Sequence, residues 1–567
     1  RMIEENFIKI YERSFKENWE LPALTDYNEQ KTYTYQEVAK EIARLHLLFR
    51  HCKIRRGDKI ALVGKNTPRW CIAFFAAVTY GAIIVPILQE FNPGDVQHIV
   101  NHSDSVLLFT SDQIWENIEM DKLKQLRAAI SLTDFGCLAQ RDGEEIEKCL
   151  RGMTRRFKAA YPSGFSRKDV KYAELENSKV SLINYTSGTT GFSKGVMLTG
   201  NNLAGNVVFG IRSKLHYRES KCLSFLPLAH AYGCAFDLLV PLAVGSHITL
   251  LGKIPSPKIL LKAMSEVKPN LVICVPLILE KIYKKMIQPM LSKGAMKLAL
   301  SIPILDHQIY NQVRKKLVDA FGGRFEEVIV GGAPLNREVE DFLRKIKFPF
   351  TVGYGMTECA PLISYTPHRE FQAGSSGHIL TGYMEAKIDS ADPENIPGEI
   401  CVRGEHVMAG YYKNEEATKA VLDADGWLHT GDMGTMGKDG TIFIKGRYKT
   451  MILNASGQNI YPEEIEAKLN NMPFVAESLV VERDGKLVAL VYPDYEAMDS
   501  YGLSNADLPV TMEEVRKNLN KSVAPYENIS RIQLYPTEFE KTPKRSIKRY
   551  LYLSLIHISE PTRHAQI

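Results

Sequence analysis

Between residues 185 and 195 the chain reads Tyr185-Thr186-Ser187-Gly188-Thr189-Thr190-Gly191-Phe192-Ser193-Lys194-Gly195. Glycines at that density let the backbone turn with its N–H groups toward an anion, the Ser and Thr hydroxyls add donors, and Lys194 brings a mobile positive charge. These residues could together cradle phosphate. The same composition also suits a solvated surface loop, so the loop's company decides between the two.

Two familiar nucleotide patterns are excluded. G-x-x-x-x-G-K-[ST] fails because Ser193 stands where its second glycine belongs. Gly353-Tyr354-Gly355-Met356-Thr357-Glu358 approaches a dinucleotide fingerprint but ends in Glu, whose carboxylate would repel a pyrophosphate. A carboxylate there could instead hold a magnesium ion that a phosphate shares.

Several segments, in order and at similar spacing, resemble the adenylate-forming superfamily of acyl-CoA synthetases, luciferases and peptide-synthetase adenylation domains. The match runs through most of the chain. It is carried by the cradle, Gly331-Gly332-Ala333-Pro334-Leu335, Tyr354-Gly355-Met356-Thr357-Glu358, Thr430-Gly431-Asp432 and Gly446-Arg447-Tyr448-Lys449. Within the superfamily, Leu226-Pro227-Leu228-Ala229-His230 and Ile460-Tyr461-Pro462-Glu463-Glu464-Ile465-Glu466 look most like the bacterial long-chain fatty acid–CoA ligases.

The resemblance implies a reaction that needs ATP, Mg2+ and coenzyme A. A fatty carboxylate attacks the α-phosphorus of ATP, pyrophosphate leaves, and the acyl group then passes from AMP to the thiol of coenzyme A. No protein nucleophile is required; the site supplies positioning and positive charge. By resemblance, Thr186 and Glu358 ligate the metal, and Lys194 holds phosphate with Ser187, Gly188, Thr189, Thr190 and Gly191. Thr357 contacts the α-phosphate, Tyr354, Gly332, Ala333 and Pro334 flank the adenine, Gly355 and Met356 belong to the same nucleotide-binding segment, and Asp432 accepts from the ribose with Arg447 close by. His230 lies beside the acyl carboxylate.

Each residue has a plainer reading. Asp432 follows a turn-rich stretch, where aspartates serve to fold turns. His230 follows an apolar run and suits a satisfied core histidine. Arg447 suits an exposed linker, and Glu358 a helix cap.

By the same resemblance Lys449 falls at a hinge, about which a small C-terminal domain swings between the two half-reactions, and Gly457 at the loop facing the thiol tunnel. The likeness weakens near the end. Members carry a lysine in a K-T-x-x-G-K pattern, whereas Lys541-Thr542-Pro543-Lys544-Arg545-Ser546-Ile547-Lys548 puts Ser546 in that slot and leaves Lys544 as the preferred substitute, with Lys548 as the other. Residues from about 553 onward read like a translated sequencing adaptor, and Arg1 precedes Met2, so the tail 553–567 is expected to be non-native.

The elements that must carry these residues read as alternating α and β. The apolar stretch 180–185 is a strand that delivers the cradle to the edge of a sheet; 59–63 and 105–109 are further strand candidates. Residues 70–88 hold 19 residues without a charge, close to a membrane span. Gly81 divides them, however, into an Ala- and Phe-rich helix and the β-branched Ile83-Ile84-Val85, so helix then buried strand is expected. Alternation predicts a parallel sheet with ligands at the strands' carboxyl ends, where the cradle, Gly331-Gly332 and Gly353 fall. After about residue 380, Asp-Gly and Pro-Gly turns suggest a β-rich subdomain.

The expected fold is therefore α/β: a large domain of packed sheets over 1–446, a hinge at 447–449 and a small, mobile α+β domain over 450–552. With 567 residues and 45% hydrophobic content the chain exceeds one core. A net charge of +5 argues against a nucleic-acid partner, although 541–549 forms one local basic patch. Nine cysteines without a C-x-x-C pair suit a reducing cytoplasm, and the acidic Met2-Ile3-Glu4-Glu5 start is unlike a signal peptide. A fatty acid that partitions into lipid makes peripheral contact at the inner membrane face compatible with this reading. Two other functions stay open: adenylation for a carrier protein or aryl acceptor, and non-catalytic binding of acyl groups or nucleotides.

Overall fold

The computed structural model describes residues 3–186, 194–252, 255–331, 335–453, 459–541 and 546–553. Its largest sheet has eight strands in the spatial order Gly410–Tyr411, Lys194–Thr199, Val180–Thr186, Ile83–Ile87, Lys59–Val63, Leu107–Thr110, Ala128–Ser131 and Cys137–Gln140. The middle of the sheet, from Val180–Thr186 to Ala128–Ser131, is parallel, as alternation with helices requires. The expectation of a wholly parallel sheet fails at its flanks. Lys194–Thr199 follows its neighbour after only seven residues, too few for a crossover, and returns antiparallel; Gly410–Tyr411 and Cys137–Gln140 are antiparallel as well.

The uncharged stretch resolves into the helix Pro68–Tyr80, capped by Gly81 at φ +92°, and the strand Ile83–Ile87. Every residue of that strand is buried, as a central parallel strand covered on both faces must be. No helix among the described residues is long and apolar enough to cross a membrane.

Two smaller sheets complete the large core. Lys221–Ser224, His247–Leu250, Pro22–Asp26 and Lys31–Thr34 form one; Val272–Cys274, Val328–Val330 and Phe350–Val352 form a parallel three-stranded one. Gly331 and Gly353 directly follow the last two strands, at their carboxyl ends. The β-rich stretch is an antiparallel sheet in the order Met384–Asp389, Gly398–Gly404, Leu428–Met436 and Ile442–Arg447.

One apolar cluster runs from Ile3 to Ile442. A separate one, with Ile465, Leu469, Val480, Val491 and Leu519, is built by the helices Pro462–Leu469 and Leu508–Lys521 on the sheet Val475–Arg483, Lys486–Pro493 and Ile529–Leu534. Polar contacts link the two parts: Asn336 Nδ2 donates to the Ala467 carbonyl at 3.0 Å and Lys284 Nζ to the Val475 carbonyl at 3.1 Å.

Within the basic patch near the C-terminus, the described basic residues are paired with carboxylates. Lys541 pairs with Glu477, Lys548 with Glu540 and Arg549 with Glu466. All nine cysteines are free thiols, and all but Cys137 are buried.

Candidate active site

Strand register sets Thr186 opposite Lys194 and Tyr185 opposite Gly195, so both ends of the cradle are held in one ladder. A Cβ at Gly195 would lie 2.9 Å from the Tyr185 ring, which explains glycine there. The neighbouring edge strand places Tyr411 against Val196. The Lys194 ammonium stands 5.2 Å from the centre of the Tyr411 ring, and the Tyr411 hydroxyl donates to Glu358 Oε2 at 3.0 Å. Burial, reinforced by the Glu358 charge, pushes the Tyr411 hydroxyl far above its ordinary range, so it remains a donor at neutral pH.

Glu358 belongs to the short turn Thr357–Cys359, in which Thr357 is buried. Glu358 stands in the first turn of this short helix, as the plainer reading has it, while its side chain is turned to Tyr411. The strand Tyr354–Gly355 enters the turn, Met356 N–H donates to the Pro361 carbonyl at 2.9 Å, and Met408 N–H donates to the Glu358 carbonyl at 2.8 Å. A Cβ at Gly355 would lie 2.3 Å from the Pro361 oxygen, so close backbone approach requires glycine.

Tyr354 reaches the antiparallel sheet, where its hydroxyl donates to Asp432 Oδ2 at 2.5 Å. Arg447, opposite Asp432 in the register, donates from Nη1 to Oδ1 at 2.5 Å. Asp432 is therefore a buried strand residue with both oxygens held, not a turn aspartate. Arg447 keeps half of its side chain exposed while pairing with it.

His230 precedes the short helix Ala231–Cys234, and its Nδ1 accepts from the Tyr232 N–H at 3.2 Å. In the neutral ring the proton then sits on Nε2, a donor suited to a carboxylate. The buried Asn184, two residues before Thr186, donates to the Ala229 carbonyl at 2.8 Å and so ties the His230 segment to the cradle's strand. The Tyr232 hydroxyl donates to the Ile329 carbonyl at 2.8 Å, and a Cβ at Gly331 would lie 2.9 Å from its ring. The three-stranded sheet thus rests against the same segment.

Lys449 lies exposed in the turn Tyr448–Thr450, two residues after Arg447. Ser187, Gly188, Thr189, Thr190, Gly191, Gly332, Ala333, Pro334, Gly457 and Lys544 lie outside the described residues. Tyr411, Asn184 and Tyr232 were not singled out in the sequence. Their only signals were Gly410-Tyr411-Tyr412 and two polar residues within apolar runs, none with a spacing that points to Glu358 or Lys194.

The described residues bring the Lys194 ammonium and the Glu358 carboxylate to one tyrosine, Tyr411, and place a second, buried carboxylate with an arginine at the adjoining sheet. The set suits a nucleotide triphosphate with a hard divalent cation.

Comparison with known proteins agrees. The family described as AMP-binding enzyme matches residues 11–412. Long chain acyl-CoA synthetase 6, peroxisomal, of Arabidopsis thaliana is 30% identical over 84% of this chain and 70% of its own length. Long-chain-fatty-acid–CoA ligase FadD15 of Mycobacterium bovis is 27% identical over 91% and 89%. Among solved structures, the anthranilate CoA ligase AuaEII in complex with anthranoyl-AMP superimposes with a TM-score of 0.76 at 19% identity, over 97% of this chain and 96% of that one.

Proposed function

We propose, because the chain belongs to the AMP-binding enzyme family, that it is an AMP-forming acyl-CoA synthetase acting on long-chain fatty acids. The observation that carries this reading is the contact chain from Lys194 through Tyr411 to Glu358, which brings the lysine of the Ser/Thr/Gly-rich loop and a carboxylate suited to a metal onto one side chain. In this reading Lys194 holds the phosphates of ATP, and Asp432, oriented by Tyr354 and Arg447, receives the ribose hydroxyls. His230 Nε2 donates to the fatty carboxylate. A carboxylate oxygen then bonds to the α-phosphorus as pyrophosphate departs, and Thr357 steadies the α-phosphate oxygens.

The donors present fit Mg2+: the Thr186 hydroxyl and the Glu358 carboxylate are hard oxygens beside a phosphate loop. The ion would offset the charge gathered on the phosphate oxygens. For the thioester step the unit over 450–552 reorients about 447–449 relative to 1–446, bringing the Gly457 loop toward coenzyme A and withdrawing the segment that holds Lys544. We place the activity in the cytoplasm, with peripheral access to lipid.

Pyrophosphate release from ATP and Mg2+, measured with palmitate, octanoate or benzoate and with or without coenzyme A, tests this. Coenzyme A-dependent turnover strongest with palmitate is expected. Pyrophosphate release that coenzyme A does not accelerate points to another acceptor, and no release by folded protein overturns the catalytic reading.

A further inference from the structure

On the antiparallel sheet, three side chains of different chemistry meet outside the site described above. Glu399 and Cys401 are two apart on Gly398–Gly404, and Cys401 faces His429 across the ladder to Leu428–Met436, with a register irregularity between the two ligand positions. One donor atom from each lies within 4.8 Å of the others. Cys401 Sγ is 3.5 Å from His429 Nδ1, which is 2.9 Å from Glu399 Oε1.

We propose that Cys401, His429 and Glu399 form a binding site for a divalent metal ion of the zinc class, with Asp423 as the outer partner of His429 and solvent as the fourth ligand. Geometry supports it first. A tetrahedral ion with a metal–sulfur bond of about 2.3 Å and a metal–nitrogen bond of about 2.0 Å holds those atoms about 3.5 Å apart. The sulfur and nitrogen already stand at that separation, whereas the nitrogen and the Glu399 oxygen, hydrogen-bonded at 2.9 Å, move apart to about 3.3 Å around the ion.

Orientation supports it independently. His429 lies between two carboxylates, with Nε2 3.2 Å from Asp423 Oδ2 and Nδ1 2.9 Å from Glu399 Oε1. The Glu399 and Asp423 contacts raise the ring's proton affinity, so an ion at Nδ1 takes the place of the proton now shared with Glu399 while Asp423 keeps the ring oriented. Glu399 is fixed in turn, because its Oε2 accepts from the Gly431 N–H at 3.1 Å while Oε1 faces the histidine. Lys387, opposite Cys401 in the register, carries its ammonium 4.4 Å from the Trp427 ring centre.

Charge and access also fit. A thiolate, a carboxylate and a neutral imidazole balance a divalent ion. On binding, the Cys401 thiol and the His429 Nδ1–H that faces Glu399 both release their protons to solvent, the freed Nδ1 lone pair takes the metal, and Nε2 keeps its proton toward Asp423. Cys401 is buried, but the side chains of His429 and Glu399 are 34% and 23% exposed and give an ion its entry. The carboxylate ligand also grips Gly431, next to Asp432, so occupancy would brace the strand that holds the ribose acceptor.

The test uses the full chain, stripped with chelator and titrated with Co2+, followed by displacement with Zn2+. One equivalent of Co2+ giving a thiolate-to-metal charge-transfer band, bleached by Zn2+, is expected. The band is lost in Cys401→Ser and retained in Cys137→Ser, the control at the one cysteine that is not buried. Asp423→Asn weakens binding about 10–100-fold, the usual loss for an outer partner. Should Cys401→Ser fail to fold, His429→Gln at a half-exposed position gives the same readout. Absence of the band in folded wild type, or its survival in Cys401→Ser or His429→Gln, overturns the proposal.

Discussion

The Tyr411 hydroxyl donates to Glu358 at 3.0 Å while its ring lies beneath the Lys194 ammonium, so one aromatic side chain orients both the carboxylate and the cation of the cradle. Phe would keep the ring and lose the donor. A hydrogen bond to a charged group contributes about 1.5–3 kcal/mol. Tyr411→Phe should therefore raise the Mg2+ concentration needed for half-maximal pyrophosphate release by roughly 10–100-fold, with little change in thermal stability. An unchanged Mg2+ titration would separate Tyr411 from the metal's carboxylate.

Asp432 has both oxygens committed, one to Tyr354 and one to Arg447. Asn at that position turns an N–H2 group toward one of these donors and removes the charge that Arg447 pairs with. Asp432→Asn should lower kcat/KM for ATP by about 10–100-fold, corresponding to about 1.5–3 kcal/mol, while KM for the fatty acid stays near wild type. Equal damage to both substrates would mean that the residue only holds the sheet together.

How far these relationships were legible depends on their range along the chain. The strand Lys59–Val63 and the helix–strand pair flanking Gly81 follow from apolar runs and one glycine, which are local signals. The loop's composition and the resemblance single out Thr186 and Lys194, whereas the antiparallel return of Lys194–Thr199 was not legible, because alternating elements point to a parallel sheet. Tyr411 was not legible either, since it reaches Glu358 only through an edge strand added to Lys194–Thr199 from more than two hundred residues away. The Cys401–His429–Glu399 group depends on an irregular cross-strand register, which no spacing in the sequence encodes. Asp432 carried a misleading local signal: its turn-rich surroundings hid a residue buried in mid-strand.

Acid should destabilise the fold through its buried histidines. Burial lowers His216 and His406 to about 4 and His46 to about 3; His406 Nδ1 donates to the Leu362 carbonyl at 2.8 Å beside the Glu358 turn. Unfolded, each takes a proton near pH 6.5, whereas the folded rings of His216 and His406 stay neutral until near pH 4 and that of His46 until near pH 3. Between those values the unfolded chain binds more protons, so stability present above pH 6.5 falls as pH drops. Each histidine contributes up to about 1.4 kcal/mol per pH unit. Denaturant unfolding of wild type and His406→Gln at pH 7 and pH 5 checks this, and a pH slope identical in the two proteins would rule His406 out.

Lys449 occupies an exposed turn between the end of Ile442–Arg447 and the separate apolar cluster that begins at Ile460. If the C-terminal unit turns about this point between half-reactions, the backbone here must change φ and ψ while the rest moves rigidly. Proline fixes φ and removes the N–H, so Lys449→Pro should trap one arrangement, whereas Lys449→Ala removes only the side chain. We expect Lys449→Pro to form acyl-AMP at close to the wild-type rate and to lose thioester formation by at least about tenfold, a barrier increase of about 1.4 kcal/mol. Lys449→Ala should retain both steps. Single-turnover assays of each half-reaction decide the matter: parallel loss of both in Lys449→Pro would assign the turn to folding and not to the motion.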